Sequence, residues 1–340
     1  MLLSRAMIRA AALAGLLAAA ACSAPAAPTE PSAPAPPPEP AAPPPPPDPA
    51  AIGANELGDV PVLMYHRITP DPSSVYDRTP EDFRAELERL ADEDYVPVTA
   101  TEYATGKIDI PAGKHPVVLT FDDGSASQFT LDSSGEPAPG TAIRILLSVA
   151  EAHPDFRPTA TLYVFDPPFE EPGGHRTLTW LHEHGFEIGN HTVDHPNLGN
   201  VSATEAQREI AGMQRVINEA LPDVPVNSMA LPLGVHPDAE ALASSGSADG
   251  VSYRHSSVML VGSNPAPSPF SSDFDPANIP RIRSQGPEGE GADYGSTKWL
   301  DKLAADPDSR YTSDGDPTKV SAPQAASTEP APHVGNLHRY

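Results

Sequence analysis

The sequence predicts an α/β fold in which six or seven parallel strands form a barrel. From about residue 60 to residue 282, short β-branched and aromatic runs alternate with stretches whose apolar residues recur at helical spacing. The run at 159–165 is apolar without clear alternation, as in parallel strands that are covered on both faces. Strands that alternate with helices pair in parallel through right-handed crossovers, and this number of units favours a barrel over an open sheet.

The elements follow one another in a regular order. Strands are predicted at 60–65, 95–99, 116–121, 159–165, 186–189, 228–231, 251–253, 258–261 and 279–282. The first helix begins after Thr79, an N-cap followed by Pro80, and carries the apolar stripe Phe83, Leu87 and Leu90. Further helices are predicted at 141–152, at 178–184, after the capping box of Ser202 and Glu205, and at 237–244.

The N-terminal 22 residues predict export. Arg5 and Arg9 precede an apolar run at 10–21 that is too short to span a membrane. Cys22, the only cysteine, directly follows three alanines and resembles the lipidated cysteine of bacterial lipoproteins. Lipidation would place the protein on the outer face of the cell membrane, whereas ordinary cleavage after the alanines would release a secreted protein.

Composition divides the remaining chain into three parts. Residues 23–56 form a Pro/Ala-rich linker that cannot bury a core, residues 57–300 form the folded domain, and residues 301–340 form a polar tail predicted to be flexible. A single cysteine excludes an internal disulfide. The net charge of −25 argues against nucleic-acid binding.

Two short motifs carry the chemistry. The predicted strand at 116–121 ends at Asp122 and Asp123, which a glycine follows, and a later apolar run leads to His191 and His195. One carboxylate and two imidazoles can hold a divalent metal with open positions for water and substrate, which leaves the second carboxylate free as a base. The alternative is a solvated turn and two loop histidines.

Together, Thr-Phe-Asp-Asp-Gly at 120–124 and His-Thr-x-x-His at 191–195 resemble the signature of the polysaccharide deacetylases, carbohydrate esterase family 4. The segment 60–68 resembles the opening strand of the branch that deacetylates poly-N-acetylglucosamine exopolysaccharides. The resemblance extends over about residues 58 to 285. It implies a distorted (β/α) barrel, a site at the carboxyl ends of the strands, and removal of N-acetyl groups from an acetylated, glucosamine-based polysaccharide.

The resemblance also implies roles. Asp122 is the base, and Asp123, His191 and His195 hold the metal, with zinc as the default and cobalt, nickel or iron compatible with the same ligands. The backbone N–H of Leu233 contributes to the oxyanion site.

Two departures from the family pattern concern an arginine and a general acid. Many members have an arginine at the position of Ala230, and we expect Arg281 or Arg283 to replace it. The family's later Leu-x-His motif is absent, so His66 is the expected general acid, with His255 as the next choice. The alternative for His66 is a buried structural histidine.

Three other functions remain open from the sequence. The protein could be an O-acetyl esterase that acts on an acetylated polysaccharide, or a glycan-binding envelope lipoprotein without turnover. The non-haem iron oxygenases also use two histidines and one carboxylate, although commonly on a β-sandwich. The oligomeric state does not follow from the sequence.

Overall fold

The computed structural model describes residues 47–340. The predicted export signal, Cys22 and the linker up to residue 46 lie outside the described residues. The strands are β1 (Val62–Tyr65), β2 (Tyr95–Val98), β3 (His115–Phe121), β4 (Thr161–Val164), β5 (Glu187–Asn190), β6 (Ser228–Ala230), β7 (Ser245–Ala248), β8 (Val251–Arg254), β9 (Ser257–Met259), β10 (Ile282–Arg283), β11 (Val320–Ala322) and β12 (Leu337–Arg339). The helices are α1 (Pro49–Ile52), α2 (Pro80–Asp92), α3 (Ala100–Ala104), α4 (Ala142–Ala152), α5 (His175–Glu183), α6 (Ala203–Ala220), α7 (Ala241–Ser244) and α8 (Ser296–Ala305).

Eight parallel strands form the main sheet. Seven follow the order β10-β1-β3-β4-β5-β6-β9, and β2 pairs with the first part of β3. Ile279, just before β10, also exchanges backbone hydrogen bonds with β9: its N–H donates to Val258, and its carbonyl accepts from Leu260. These bonds bring the two edges of the curled sheet together, and the predicted parallel barrel is confirmed.

Strand β3 lies in the interior of this sheet, between β1 and β4. Its seven residues are buried, as expected for a strand covered on both faces. It pairs in parallel with β1, where Tyr65 lies opposite Phe121. The N–H of Asp122 donates to the Tyr65 carbonyl at 2.9 Å and continues the pairing by one residue. The residues that follow β1 and β3 therefore leave the sheet side by side.

Helix α2 confirms the N-cap predicted at Thr79, and helix α6 forms the Ser202 half of the predicted capping box. The Thr79 hydroxyl accepts the N–H of Asp82, and the Ser202 hydroxyl accepts the N–H of Glu205. The buried residues of α2 include Phe83, which lies in the main apolar cluster. Full burial of each such side chain contributes about 1.5–3 kcal/mol before the entropy of ordering is subtracted.

One predicted strand pairs differently. Strand β8 forms an antiparallel hairpin with β7, outside the main sheet. Asp249 (φ 49°) and Gly250 (φ 79°) connect the two strands, and two positive φ angles are typical of the tight type I′ hairpin turn. The Asp249-Gly250 pair is a sequence signal for such a turn. The hairpin was nevertheless missed, because β7 is too poor in apolar residues to be recognised as a strand. The helix predicted at 237–244 is correspondingly short, Ala241–Ser244.

The two ends of the described chain pack together, which contradicts the flexible tail predicted at 301–340 and a linker extending to residue 56. Asn55 and Thr312 exchange backbone hydrogen bonds at 2.9 and 3.0 Å. Leu57 packs with Val320 and Ala322 in a small apolar cluster. The prediction failed because isolated apolar residues in a polar segment gave no periodic signal. In the described part of the chain, no helix is both long and apolar enough to cross a membrane.

Glu56 lies buried between these two ends. Its carboxylate accepts the backbone N–H of Ser321 at 2.8 Å and that of Asp314 at 3.3 Å, and the Tyr311 hydroxyl donates to it. Burial, together with the negative charge of Asp314, raises the pKa of Glu56 from 4.5 to about 7 against the effect of these hydrogen bonds. The folded state therefore binds a proton at Glu56 more tightly than the unfolded chain does.

This raised pKa predicts how stability depends on pH. The stabilisation is fully present below about pH 4.5 and is lost as the pH rises through 7, and it amounts to about 3 kcal/mol. Glu56→Gln removes the titration. Between about pH 4.5 and pH 8, the wild type should therefore lose about 3 kcal/mol more unfolding free energy than Glu56→Gln, measured by urea unfolding. Parallel pH profiles for the two proteins would contradict the raised pKa.

Candidate active site

A cleft of about 410 Å³ opens at the carboxyl ends of the parallel strands. His66 follows β1, Asp122 and Asp123 follow β3, and His191 and His195 follow β5. The residues that line the cleft are His66, Arg67, Ser73, Ser74, Tyr76, Asp77, Asp122, Asp123, His191, His195, Leu231, Leu233 and Val261. The structure thus brings both motifs and His66 into one cavity, although they come from three strands.

Asp123, His191 and His195 converge on one point. Oδ1 of Asp123 lies 3.5 Å from Nε2 of His191 and 3.6 Å from Nε2 of His195, and one ligand atom from each residue lies within 4.8 Å of the others. Metal bonds of 2.0–2.1 Å put neighbouring ligands of a tetrahedral ion about 3.4 Å apart. The spacing and the donor types therefore fit a divalent metal.

The backbone is in the left-handed region at this point. Asp123 has φ 76° and His195 has φ 54°, a conformation that costs non-glycine residues of order 1–3 kcal/mol and that concentrates at functional sites. His191 is held differently: its Nδ1 lies 2.8 Å from the Ala230 carbonyl, and this bond leaves Nε2 available as the ligand atom. Ala230 was not predicted to contribute, because an orienting backbone carbonyl has no sequence signature.

Arg281 pairs with Asp122 in the floor of the cleft. Its Nη1 and Nη2 each lie 2.6 Å from one carboxylate oxygen, and both side chains are almost fully buried. Burial alone would raise the pKa of Asp122, but the Arg281 guanidinium, together with the His191 and His66 rings, outweighs burial and holds that pKa well below its usual range. Arg281 also donates to the Leu260 carbonyl. The arginine missing at Ala230 is thus supplied by the chain just before β10, as one of the two predicted candidates.

His66 lies beside this pair. Its Nε2 is 4.0 Å from Oδ2 of Asp122, and its ring packs 4.8 Å from the ring of Tyr76. Burial lowers the pKa of His66, and the Asp122 and Asp123 carboxylates oppose the effect. The buried Gln128 carboxamide donates to the backbone carbonyls of both His66 and Asp122 and joins the two strand ends. A lone glutamine in a polar loop gave no signal for this role.

The remaining predicted residues occupy distinct places. Leu233 lines the cleft with φ 57° and is 61% exposed. His255 packs against Tyr253, bonds the Ala243 carbonyl through Nδ1 and does not line the cleft. Arg283 lies over the ring of Tyr76 and donates to groups of its own loop rather than to Asp122. His66 and Arg281 are therefore the histidine and the arginine that reach Asp122.

The family comparison includes both catalytic motifs. A model of the polysaccharide deacetylase family matches residues 109–246, which contain the Asp122–Asp123 pair, both metal-spaced histidines and Leu233. Residues 109–246 therefore match the polysaccharide deacetylases, and the resemblance inferred from the motifs is confirmed for this part of the chain. His66 and Arg281 lie outside the matched segment.

One curated protein is similar to the chain in sequence, and solved structures are similar to it in fold. The chain is similar to the chitooligosaccharide deacetylase of Sinorhizobium fredii, with 28% identity over 146 residues, which are 43% of this chain and 59% of that protein. Its fold is similar to that of the Streptococcus pyogenes deacetylase PplD, solved with acetate, at a TM-score of 0.52 and 18% identity over 72% of this chain and 97% of that one. The Bacillus cereus polysaccharide deacetylase BC0361 gives a TM-score of 0.51 and 21% identity over 66% and 64%.

Proposed function

We propose that this protein is a metal-dependent hydrolase that removes N-acetyl groups from a glucosamine-based polysaccharide of the cell envelope or the extracellular space. The observation that carries the proposal is the cleft in which the Asp123, His191 and His195 ligand set lies directly beside the Arg281-paired Asp122. The set provides three protein ligands and leaves coordination positions open, as in catalytic rather than structural sites.

Asp123, His191 and His195 would hold the ion, with zinc as the default for hydrolysis at such ligands and cobalt, nickel or iron as alternatives. A divalent ion at this point acidifies water and withdraws charge from the acetyl carbonyl. The Ala230 carbonyl fixes the His191 ring, so that the ligand atom faces the cleft.

Asp122 accepts the proton of the attacking water in this proposal. Arg281 keeps its carboxylate ionised throughout the neutral range and fixes both oxygens, at the cost of a weaker base. His66, 4.0 Å away, can take up the proton and pass it to the departing amine. The Leu233 N–H would donate to the developing oxyanion, a role that does not depend on its side chain.

Two observations favour a glucosamine polymer. The relative from Sinorhizobium fredii is named for chitooligosaccharides, and the segment 60–68 resembles the opening strand of the exopolysaccharide deacetylases.

The N-terminal sequence supports export. Lipidation of Cys22 would anchor the protein to the outer face of the membrane, and secretion is the alternative. The substrate would then be met outside the cytoplasm.

Acetate release from four polymers tests the function. We expect acetate from poly-N-acetylglucosamine and chitin oligomers, less from peptidoglycan, and little from acetylated xylan. Dialysis against a chelator should abolish release, and adding back zinc should restore it without oxygen. Release from xylan alone would favour an O-acetyl esterase, an oxygen requirement would favour an oxygenase, and no release by metal-loaded protein would favour a binding role.

His66 gives a residue-level prediction within this function. His66→Ala should retain the metal and lose about 10²–10⁴-fold in rate, because protonation of the leaving amine contributes that much. The variant should also lose the high-pH limb of the rate profile, which reports deprotonation of the acid. His255→Ala is the matched control and should keep that limb, since His255 does not line the cleft. An unchanged profile in His66→Ala would exclude the assignment.

A further inference from the structure

A second, smaller cleft adjoins the catalytic one. It has a volume of about 180 Å³, and Tyr76 and Val261 line both cavities. Arg283 and Tyr294 line the smaller cleft but not the catalytic one. All the residues that line the smaller cleft lie outside the segment that the family model matches.

Exposed apolar surface is concentrated at these two clefts. Within residues 47–340, the large apolar side chains that are exposed are Val75, Tyr76, Leu233, Val261 and Tyr294. All except Val75 line one cleft or both. Tyr294 is 61% exposed and lines the smaller cleft but not the catalytic one. An exposed, amphipathic ring at the wall of a groove offers a stacking surface for a sugar ring.

Arg283 gives the smaller cleft a positive charge. Its guanidinium lies 5.5 Å above the ring of Tyr76 and donates to Gln285 and to the Glu290 carbonyl. No carboxylate in the described part of the chain lies within 4.0 Å of it. Gly291 (φ 77°) lets the neighbouring loop approach, because a Cβ there would lie 2.7 Å from Nη2 of Arg283. The cation is thus held in place without neutralisation.

We propose that the smaller cleft is a subsite for a neutral, N-acetylated sugar next to the unit that is deacetylated. The inference rests on the proposed function and adds to it the part of the polymer that the enzyme contacts beyond the reacting unit. Tyr294 stacks on the sugar ring, and Arg283 donates hydrogen bonds while repelling a free glucosamine amine. Because Tyr76 and Val261 belong to both clefts, one oligosaccharide can occupy them together.

The test compares kcat/KM per acetyl group on the disaccharide and the hexasaccharide of N-acetylglucosamine, with the full-length, metal-loaded protein. The wild type should prefer the hexasaccharide, and Tyr294→Ala should reduce that preference roughly tenfold, the effect typical of losing an aromatic anchor. Tyr294→Phe keeps the ring and should keep the preference. Tyr76 is unsuitable for this test, because it also packs against His66.

If Tyr294→Ala preferred the hexasaccharide as strongly as the wild type does, the proposed subsite would be wrong. The proposed deacetylase function would be unaffected. Absence of acetate release from both substrates with the wild type would contradict the proposed function and the subsite with it.

A second experiment tests Arg283. The wild type should have a lower kcat/KM on a partly deacetylated hexasaccharide than on the fully acetylated one, and Arg283→Gln should reduce this difference in kcat/KM. Equal use of both by the wild type would overturn the preference for a neutral sugar.

Discussion

Arg281→Met is expected to lower the unfolding free energy by about 3–5 kcal/mol, because it leaves the buried Asp122 carboxylate without its partner. Urea unfolding of the purified protein measures the loss. Arg283→Met is the matched control: Arg283 is only part-buried and pairs with no carboxylate within the described residues, so its loss should stay within about 1 kcal/mol. Similar losses in both variants would contradict a special role for the buried pair.

Arg281→Met should also reverse the direction in which pH changes the unfolding free energy. In the wild type, the lowered pKa of Asp122 stabilises the fold above its ordinary value of 3.8, and this contribution is lost only as the pH falls through the much lower folded value. Without Arg281, burial raises the pKa of Asp122, and the folded state then gains stability as the pH falls. The double variant Arg281→Met/Asp122→Asn should recover part of the loss, which a double-mutant cycle measures.

The paired acids are expected to differ in metal content. Asp122→Asn should keep the metal and lose about 10²–10⁴-fold in rate, since it removes the proton acceptor but none of the three converging ligand atoms. Asp123→Asn should lose both metal and activity, because a three-ligand site tolerates the loss of no ligand. Elemental analysis of folded protein, together with acetate release, distinguishes the two outcomes.

His195→Ala is the control for this pair, since it removes a ligand atom without changing either acid. It should behave like Asp123→Asn. Full metal occupancy in His195→Ala would refute the ligand set, and an empty site in Asp122→Asn would mean that the two carboxylates exchange or share their roles.

Local sequence was sufficient to predict the site residues that belong to short, continuous motifs. Asp122 and Asp123 end a buried strand, and His191 and His195 follow another, so their meeting required only that the two strands run parallel in one sheet, where β4 separates them. The helix caps at Thr79 and Ser202 were equally local. Helix caps can be predicted from the sequence because residues within one turn of each other determine them.

The features that could not be predicted from the sequence depend on contacts between residues that are far apart in the chain. Arg281 and Asp122 are 159 residues apart, and nothing near either one distinguishes Arg281 from Arg283 as the partner. The folded sheet makes that choice: Arg281 donates to Thr120 of β3, whereas Arg283 donates to groups of its own loop. The packing of residues 301–340 was missed for the same reason: Tyr311 and Val320 are buried by partners near residue 56 rather than by periodic neighbours.

The pairing of Asp122 with Arg281 also sets the order in which the site can mature. Asp122 belongs to the third strand made by the ribosome, whereas its guanidinium partner arrives only with the last strand of the barrel. Contacts of such long sequence separation form late, because the closure entropy must be overcome first. A nascent chain would therefore hold an unneutralised acid and no competent catalyst. Hydrolysis would begin only once the barrel has closed.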